Sequence, residues 1–199
     1  MALRYFQIAR FSSFIPFQPV ILQLLERMTR EAVSRGLDFL LIGGHAVNAY
    51  GYARTTFDVD LLITDKQRSS WKTLFMEQGY TVRHEADAFI QFNAPSPSEF
   101  DFDLMVVDET TYTKLRGSSV RKTLGSMEFS VPAPLHLVAL KLHALREEQR
   151  VRRGKDYQDV LEIIRLTGIN TKGQEFQQIL DRYATESIRN RLIHDLEEG

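Results

Sequence analysis

The sequence contains no cysteine among its 199 residues. Disulfide bonds and thiolate zinc sites are therefore excluded, and the absence fits a reducing compartment. No apolar run approaches the length of a membrane span, and the first ten residues lack the pattern of a secretory signal. We therefore expect a cytoplasmic protein with no membrane partner.

A charge excess of either sign is also missing. The 25 basic and 26 acidic side chains leave a formal net charge of −1, so the chain has no global basic field for binding nucleic acid. Basic residues still cluster along residues 141–155 and in a second group, Lys114, Arg116, Arg121 and Lys122. Two interpretations stay open for these clusters, namely contacts to nucleic-acid phosphates and ordinary solvated surfaces.

The composition that is present is that of an ordinary globular protein, with 43% hydrophobic and 26% charged residues. Strand and helix patterns alternate up to about residue 131, and helical patterns follow it. We therefore expect a core of residues 1–131 that includes an N-terminal helix. Residues 132–199 should form a C-terminal helical region packed on that core, because the link between them is too short for independent domains.

Hydrophobic spacing locates the individual elements. Apolar residues at helical spacing predict helices at about residues 18–34, 45–51, 65–79, 108–115, 134–154, 156–166 and 173–194. Asp65 is expected to cap the third of these helices. Alternating or apolar runs predict strands at about residues 38–42, 57–63, 80–83, 88–92 and 100–107, and a hairpin at 119–131.

The most informative strand is the one at residues 57–63, where two aspartates alternate with apolar residues. Alternation of this kind is typical of a strand with one buried face, so Asp58 and Asp60 should project to one side while Val59 and Leu61 pack on the other. Two like charges on one strand face repel each other, which favours a cation between them. The alternative is an exposed edge strand whose carboxylates face only solvent.

A second acidic strand follows at residues 100–107, where Asp101 and Asp103 alternate with apolar residues. Residues two apart on a strand are separated by about 6.5–7 Å, and paired catalytic metals by about 3.5–4 Å. Asp58 and Asp60 can therefore flank and bridge two Mg²⁺ ions, with Asp103 or Asp101 completing the ligands of the first ion. Because Mg²⁺ prefers carboxylate, water and phosphate oxygens, the pattern suggests a nucleotide phosphate as the remaining ligand.

A glycine pair, Gly43 and Gly44, ends the first predicted strand and precedes a short helix. Without side chains at this turn, the backbone approaches a triphosphate closely and the following amides face the anion. His45 either faces the nucleotide or packs against the sheet. Arg54 and Thr55, just before the first acidic strand, are either phosphate or acceptor contacts or turn residues.

These motifs, in the order IGGHAV at residues 42–47, RTT at 54–56 and DVD at 58–60, resemble the DNA polymerase beta superfamily of nucleotidyltransferases. That superfamily combines a glycine turn, a D-x-D strand and a later third acid. The resemblance implies an α+β fold in which helices flank a mixed β-sheet, with a C-terminal helical region. It also favours Asp103 over Asp101 as the third metal ligand.

Downstream, LVALKLHA at residues 137–144 and RGKDYQD at residues 153–159 resemble the helical part of the AbiEii-like toxins. A helical lysine and a later aspartate join the active site in that family, which implies catalytic roles for Lys141 and Asp156. The alternatives are a solvated lysine and a helix cap in which Asp159 is the partner of Asp156. Many superfamily members carry serine where this chain has Gly44, so the phosphate contact there would come from backbone amides or His45.

The resemblance implies a metal-dependent nucleotidyltransferase that transfers a nucleoside monophosphate from a nucleoside triphosphate to a hydroxyl group. Mg²⁺ or Mn²⁺ would be bound by Asp58, Asp60 and Asp103, and the nucleotide would be bound by Gly43, Gly44, His45, Arg54, Thr55 and Lys141. The acceptor would be an RNA such as a tRNA end, or a protein, and the enzyme would be a toxin with a cognate antitoxin. Two alternatives stay open: an enzyme that modifies aminoglycosides or lincosamides, and a non-catalytic regulator that binds a nucleotide or a partner.

Overall fold

The structure is a computed structural model that describes residues 19–146 and 153–198. The predicted features of the first ten residues and of the middle of the basic stretch 141–155 lie outside the described residues. The strands are β1 (Leu40–Leu41), β2 (Asp58–Thr64), β3 (Thr81–Ala86), β4 (Phe89–Asn93), β5 (Asp101–Val107), β6 (Val120–Leu124) and β7 (Met127–Val131). The α-helices are α1 (Pro19–Ser34), α2 (Gly43–Ala49), α3 (Arg68–Glu77), α4 (Glu109–Gly117), α5 (Pro134–Leu145), α6 (Arg153–Thr167), α7 (Gln174–Tyr183) and α8 (Glu186–Glu197).

The central feature of the described chain is a mixed five-stranded sheet in the order β1-β2-β5-β4-β3. Strands β2 and β5 are parallel, and the other neighbouring pairs are antiparallel. Strands β6 and β7 form a separate hairpin. The predicted α+β class, with a mixed sheet flanked by helices, is therefore confirmed. Because β2 and β5 are adjacent and parallel, both acidic segments start at the same edge of the sheet.

The two faces of the sheet pack differently. Val59 and Leu61 are 0% and 2% exposed and belong to the main core, which confirms the predicted inward face of β2. The opposite face carries the aspartates of β2 and, further along the strand, Leu62, which packs with Tyr112 and Leu115 of α4. The acidic residues thus lie at the open end of a face whose other end is closed by apolar side chains.

The C-terminal helices pack on the same core. Leu137, Val138 and Leu142 of α5 and Val160 and Ile164 of α6 belong to one buried cluster with the residues of the sheet, and α5 also contacts α7. The division of the chain near residue 131 stays a prediction. Within the described residues, no helix combines the length and the apolar character that crossing a membrane requires.

The single helix predicted at residues 173–194 is wrong, because the structure has two helices there. Ala184, directly after α7, has extended backbone angles of φ −91° and ψ 145°. The hydroxyl of Thr185 then accepts a hydrogen bond from the amide of Ile188 at 3.3 Å, which caps the start of α8. Threonine favours this cap geometry over a helix interior.

The predicted cap at Asp65 is also displaced by one residue. The hydroxyl of Thr64 accepts the amide of Gln67 at 3.3 Å, and Asp65–Gln67 form a 3₁₀ turn that leads into α3. Asp65 is instead the acidic residue of that first turn, where its charge favours the helix N-terminus.

Candidate active site

Three carboxylates converge at the start of the parallel strands β2 and β5. The strand register pairs Asp58 with Asp101 and Asp60 with Asp103. One carboxylate oxygen each from Asp58, Asp60 and Asp103 lies within 4.8 Å of the other two. The edge-strand alternative is wrong, because β2 lies between β1 and β5. Carboxylates this close repel one another, and oxygen donors of this kind are the ligands that Mg²⁺ and Mn²⁺ prefer.

Asp101 lies on the same strand face but outside this group of three. Its Oδ1 accepts a hydrogen bond from the backbone amide of Ala94 at 2.8 Å, and its Oδ2 accepts one from Arg83 at 3.1 Å. Asp103 accepts hydrogen bonds from Gln91 Nε2 at 3.0 Å and from Arg83 at 3.5 Å, and it still reaches the other two carboxylates. This arrangement favours Asp103 over Asp101 as the third member of the group.

Gly43 packs directly against one of the acidic side chains. Its φ of +61° is a left-handed backbone conformation that glycine adopts readily. A Cβ atom at this position would lie 1.8 Å from Oδ2 of Asp60. The amide of Ile42, just before the turn, also donates a hydrogen bond to the carbonyl of Asp60 at 3.0 Å. The bare backbone of Gly43 is therefore required for the position of the Asp60 carboxylate.

Gly44 lacks a side chain for a different reason. A Cβ atom there would lie 2.6 Å from Oγ1 of Thr56 and 3.0 Å from Nη2 of Arg54. The Thr56 hydroxyl donates a hydrogen bond to Oδ1 of Asp58 at 3.1 Å. Thr56 thus fills the space that a serine side chain at position 44 would need, which gives the departure from the superfamily pattern a local steric cause.

His45 is buried, with 3% of its surface exposed. Burial lowers its pKa to about 4; the nearby charge of Asp58 raises the pKa and that of Arg54 lowers it further. The ring is therefore neutral near pH 7 and brings no positive charge to a phosphate. The sequence left open whether His45 faces the nucleotide or packs against the sheet, and its burial favours packing.

Behind the turn, two cations and two carboxylates form a buried network. Asp159, which is fully buried, accepts hydrogen bonds from Nε of Arg54 at 2.6 Å and from Nη2 at 2.8 Å. Its other contact is an ion pair with Lys141 Nζ at 2.8 Å, and Lys141 also bonds to Oδ1 of Asp156 at 2.8 Å. Burial acts to lower the pKa of Arg54, but the hydrogen bond and charge of Asp159 outweigh it and raise that pKa.

The network corrects two of the alternatives considered for these residues. Asp156 lies inside the first turn of α6, which begins at Arg153, so it is not the helix cap. Lys141 is 8% exposed and bonded to carboxylates, so it is not a solvated surface lysine. Sequence analysis missed Asp159 as a site residue. Its position three residues after Asp156 on a helix, which puts the two on one face, was the available signal.

Hydrogen bonds from α2 also hold the loop before β2 in place. Asn48 of α2 accepts the backbone amide of Arg54 at 3.0 Å and donates its side-chain amide to the Arg54 carbonyl at 3.0 Å. Arg54 in turn donates to the carbonyl of Thr55 at 3.2 Å. Asn48 had no recognisable signal in the sequence, because its role depends on a loop that folds back onto its helix.

Many of these groups line one open cleft. The polar part of the lining consists of the glycine turn, Arg54, Lys141 and Asp156 of the network, and the exposed Lys155. The apolar part of the lining consists of Phe57 at the end of the loop, Met105 of β5, and Leu137, Leu140 and Ala144 of α5. The cleft therefore suits a ligand with a charged part and an apolar part.

Two members of the second basic group, Arg116 and Lys122, make contacts within the fold. Arg116 pairs with Asp38 at 2.8 Å and donates to Ser130 at 2.5 Å. Lys122 lies 4.6 Å from the ring centre of Tyr50. These internal contacts favour a structural role for Arg116 and Lys122 over a nucleic-acid surface.

No protein-family model matches the sequence, and no curated protein matches it either. Solved structures do match its fold. A crystal structure of ANT(2″)-Ia in complex with adenylyl-2″-tobramycin has a TM-score of 0.65 and 16% identity, over 82% of this chain and 99% of that one.

Two further structures agree with this match. The lincomycin-bound lincosamide antibiotic adenylyltransferase LnuA has a TM-score of 0.54 and 10% identity, over 75% of this chain and 97% of that one. An antigenic nucleotidyltransferase-like protein from Paracoccidioides brasiliensis has a TM-score of 0.54 and 18% identity, over 88% of this chain and 91% of that one. The chain therefore has the nucleotidyltransferase fold, while its resemblance to the AbiEii-like toxins stays a prediction.

Proposed function

We propose that this protein is a metal-dependent nucleotidyltransferase that transfers a nucleoside monophosphate from a nucleoside triphosphate to an acceptor hydroxyl. The observation that carries the proposal is the convergence of the Asp58, Asp60 and Asp103 carboxylates within 4.8 Å, beside a glycine turn that leaves no room for side chains. The nucleotidyltransferase fold supports it.

The three carboxylates fit divalent cations, because they supply only oxygen donors and their mutual repulsion is relieved by positive charge. Asp58 and Asp60 would hold both ions of a Mg²⁺ or Mn²⁺ pair, and Asp103 would complete the first. Bound there, the ions would supply Lewis-acid stabilisation of the attacking and leaving oxygens.

The remaining residues have roles in binding and proton transfer. The acceptor oxygen bonds to the α-phosphorus, the bond between that phosphorus and the bridging oxygen breaks, and pyrophosphate leaves. Asp103 accepts the proton of the acceptor hydroxyl. Gly43 and Gly44 allow the triphosphate to approach the backbone, and Lys141 offsets phosphate charge.

Arg54, Thr55, Asp156 and Asp159 act around this centre. Arg54 and Thr55 lie in the loop that borders the cleft, where they contact the triphosphate or the acceptor. Asp156 and Asp159 hold Lys141 and Arg54 by hydrogen bonds and ion pairs of 2.6–2.8 Å, which makes them positioning residues. His45 supports the turn as a buried neutral ring, so the turn's phosphate contact comes from its backbone.

An RNA acceptor fits the cleft better than a polycationic antibiotic. Beyond the metal-binding carboxylates, the described lining carries the cations Arg54, Lys141 and Lys155 against one more carboxylate, Asp156. Asp156 already bonds to Lys141 at 2.8 Å. The ammonium groups of an aminoglycoside would meet few acceptors, whereas RNA phosphates would match the exposed Lys155.

The test uses wild-type protein, Asp60→Asn, and Asp101→Asn as the matched control from the neighbouring strand. Each is incubated with Mg²⁺, each α-labelled nucleoside triphosphate, total RNA, lysate protein and aminoglycosides. We expect wild type and Asp101→Asn to label RNA and Asp60→Asn to label nothing. Transfer by a folded Asp60→Asn variant would contradict the proposed site.

Other outcomes separate the alternatives. Label on an aminoglycoside would support the antibiotic-modifying alternative, and label on protein would replace RNA as the acceptor. Nucleotide binding without metal dependence or turnover would support a regulator. Growth arrest on expression, relieved by a neighbouring gene product, would support the toxin role and its antitoxin, which rest on the resemblance alone.

A further inference from the structure

Phe57 is the exposed phenylalanine of the described chain. It is 71% exposed, whereas the other described phenylalanines are buried or half-buried. It lies in the sequence between Thr56, which bonds to Asp58, and Asp58 itself. An exposed aromatic ring therefore stands next to the carboxylates of the proposed active site, at the edge of the cleft.

The surroundings distinguish Phe57 from an ordinary exposed apolar residue, which by itself would need no explanation. Val33, Met76 and Leu166 are also exposed, but they belong to helices and do not line the cleft. Phe57 instead shares the cleft with the apolar groups of Met105, Leu137, Leu140 and Ala144. These side chains give the cleft an apolar lining in addition to its charged groups.

We propose that Phe57 is a stacking platform that binds a nucleobase at the mouth of the cleft. The inference rests on the proposed function and names the part of the substrate that this residue recognises. A nucleotide has a charged phosphate part and a flat aromatic base, which match the charged and the apolar groups of the cleft lining. An aminoglycoside has no flat aromatic face to stack on the ring.

The base has two sources, the incoming nucleoside triphosphate and the terminal nucleotide of an RNA acceptor. The chemistry is the same in both cases, because every base has a π-face that stacks on an aromatic side chain. Binding measurements separate the sources, and they do not require turnover. Failure of the stacking inference is therefore distinguishable from failure of the proposed transfer reaction.

Four ligands test the inference by equilibrium binding in the presence of Mg²⁺. They are ATP, inorganic tripolyphosphate, a short single-stranded RNA, and the same RNA with an abasic 3′ end. The variants are Phe57→Ala, Phe57→Leu and Phe57→Tyr, with Met76→Ala as the control for loss of an exposed apolar side chain elsewhere.

We expect Phe57→Ala to weaken binding of ATP or of the intact RNA by about 5- to 150-fold, the range of one base stacked on an aromatic ring. Binding of the matching ligand without the base should stay unchanged. Phe57→Tyr should bind as wild type does, because it keeps the ring, and Phe57→Leu should resemble Phe57→Ala. Loss with ATP identifies the incoming nucleotide, and loss with RNA identifies the acceptor.

Two results would overturn the inference. Unchanged binding of both base-containing ligands by Phe57→Ala would show that the ring contacts no base. Equal binding by Phe57→Leu and Phe57→Tyr would show a simple apolar contact in place of stacking.

Discussion

Replacing Asp159 with asparagine tests the buried charge network behind the cleft. The Asp159 side chain is 0% exposed and faces two cations, Arg54 and Lys141, whose side chains are 18% and 10% exposed. Asparagine keeps the size of the side chain and removes its charge. The variant therefore isolates the electrostatic part of the network from its packing.

The expected loss in the free energy of unfolding follows from the contacts in which Asp159 uses its charge. Asp159 accepts two bonds from Arg54, at 2.6 and 2.8 Å, and pairs with Lys141 at 2.8 Å. Lys141 keeps Asp156, so most of the loss falls on Arg54. Breaking a buried pair by removing one partner costs about 3–5 kcal/mol, and the retained Asp156 places the expectation at about 3 kcal/mol.

Urea denaturation of the purified variant measures this loss, and the corresponding decrease in melting temperature is about 6–12 °C for a chain of this size. The control is Glu26→Gln, because Glu26 and Arg30 form a surface pair at 3.0 Å in which both side chains are more than half exposed. That control should change the free energy of unfolding by less than about 0.5 kcal/mol. A double-mutant cycle with Arg54→Gln should show coupling between Arg54 and Asp159.

If the free energy of unfolding of Asp159→Asn is within about 1 kcal/mol of the wild-type value, the network is weaker than its burial and its distances imply. A normal Asp159→Asn stability together with zero coupling to Arg54 would remove the argument for Asp159 as a positioning residue.

Three further predictions concern the turn. Gly43→Ala should abolish the proposed transfer, since its Cβ would lie 1.8 Å from the carboxylate of Asp60, a proposed metal ligand, whereas Gly36→Ala, with φ +65° and nothing within 4 Å, should keep activity and lose only about 1–2 kcal/mol of stability. Gly44→Ser should lower activity, because its Cβ would lie 2.6 Å from Oγ1 of Thr56, and adding Thr56→Gly should restore part of it. Because the folded-state pKa of His45 is about 4, the unfolded chain alone takes up this proton as pH falls from 6.5. Between pH 7 and pH 4, wild type should therefore lose about 3 kcal/mol more stability than His45→Gln, when urea midpoints are compared across this range.

The acidic strands were predictable because their signal is local. Alternation of aspartates with apolar residues fixes which side of a strand each residue takes, and β2 follows that rule with Val59 and Leu61 buried. Sequence spacing alone did not decide between Asp101 and Asp103, since both share a face. The decision came from contacts with Arg83 and the amide of Ala94, which belong to β3 and to the loop after β4.

Other parts of the site depend on contacts between distant segments, which no local pattern reports. Asp159 and Arg54 are 105 residues apart in the chain and meet only because α6 packs near the loop before β2. The role of Thr56 depends on the turn at Gly44. The sequence pattern predicts Phe57 as an ordinary apolar strand residue, and only the structure shows that its side chain is exposed.

The composition of the chain changes near residue 131, but the proposed site contains residues from both sides of that boundary. The cations and carboxylates behind the cleft combine Arg54 from the first part with Lys141, Asp156 and Asp159 from the second. The lining of the cleft also combines residues from both parts. One buried ion pair, Arg54 with Asp159, joins the two parts and favours one position of α6 relative to the loop before β2, because a shift of α6 within the packed fold would leave both charges buried without each other. The helical region is therefore a component of the proposed site, and the electrostatic cost of separation links its packing to the geometry of the cleft.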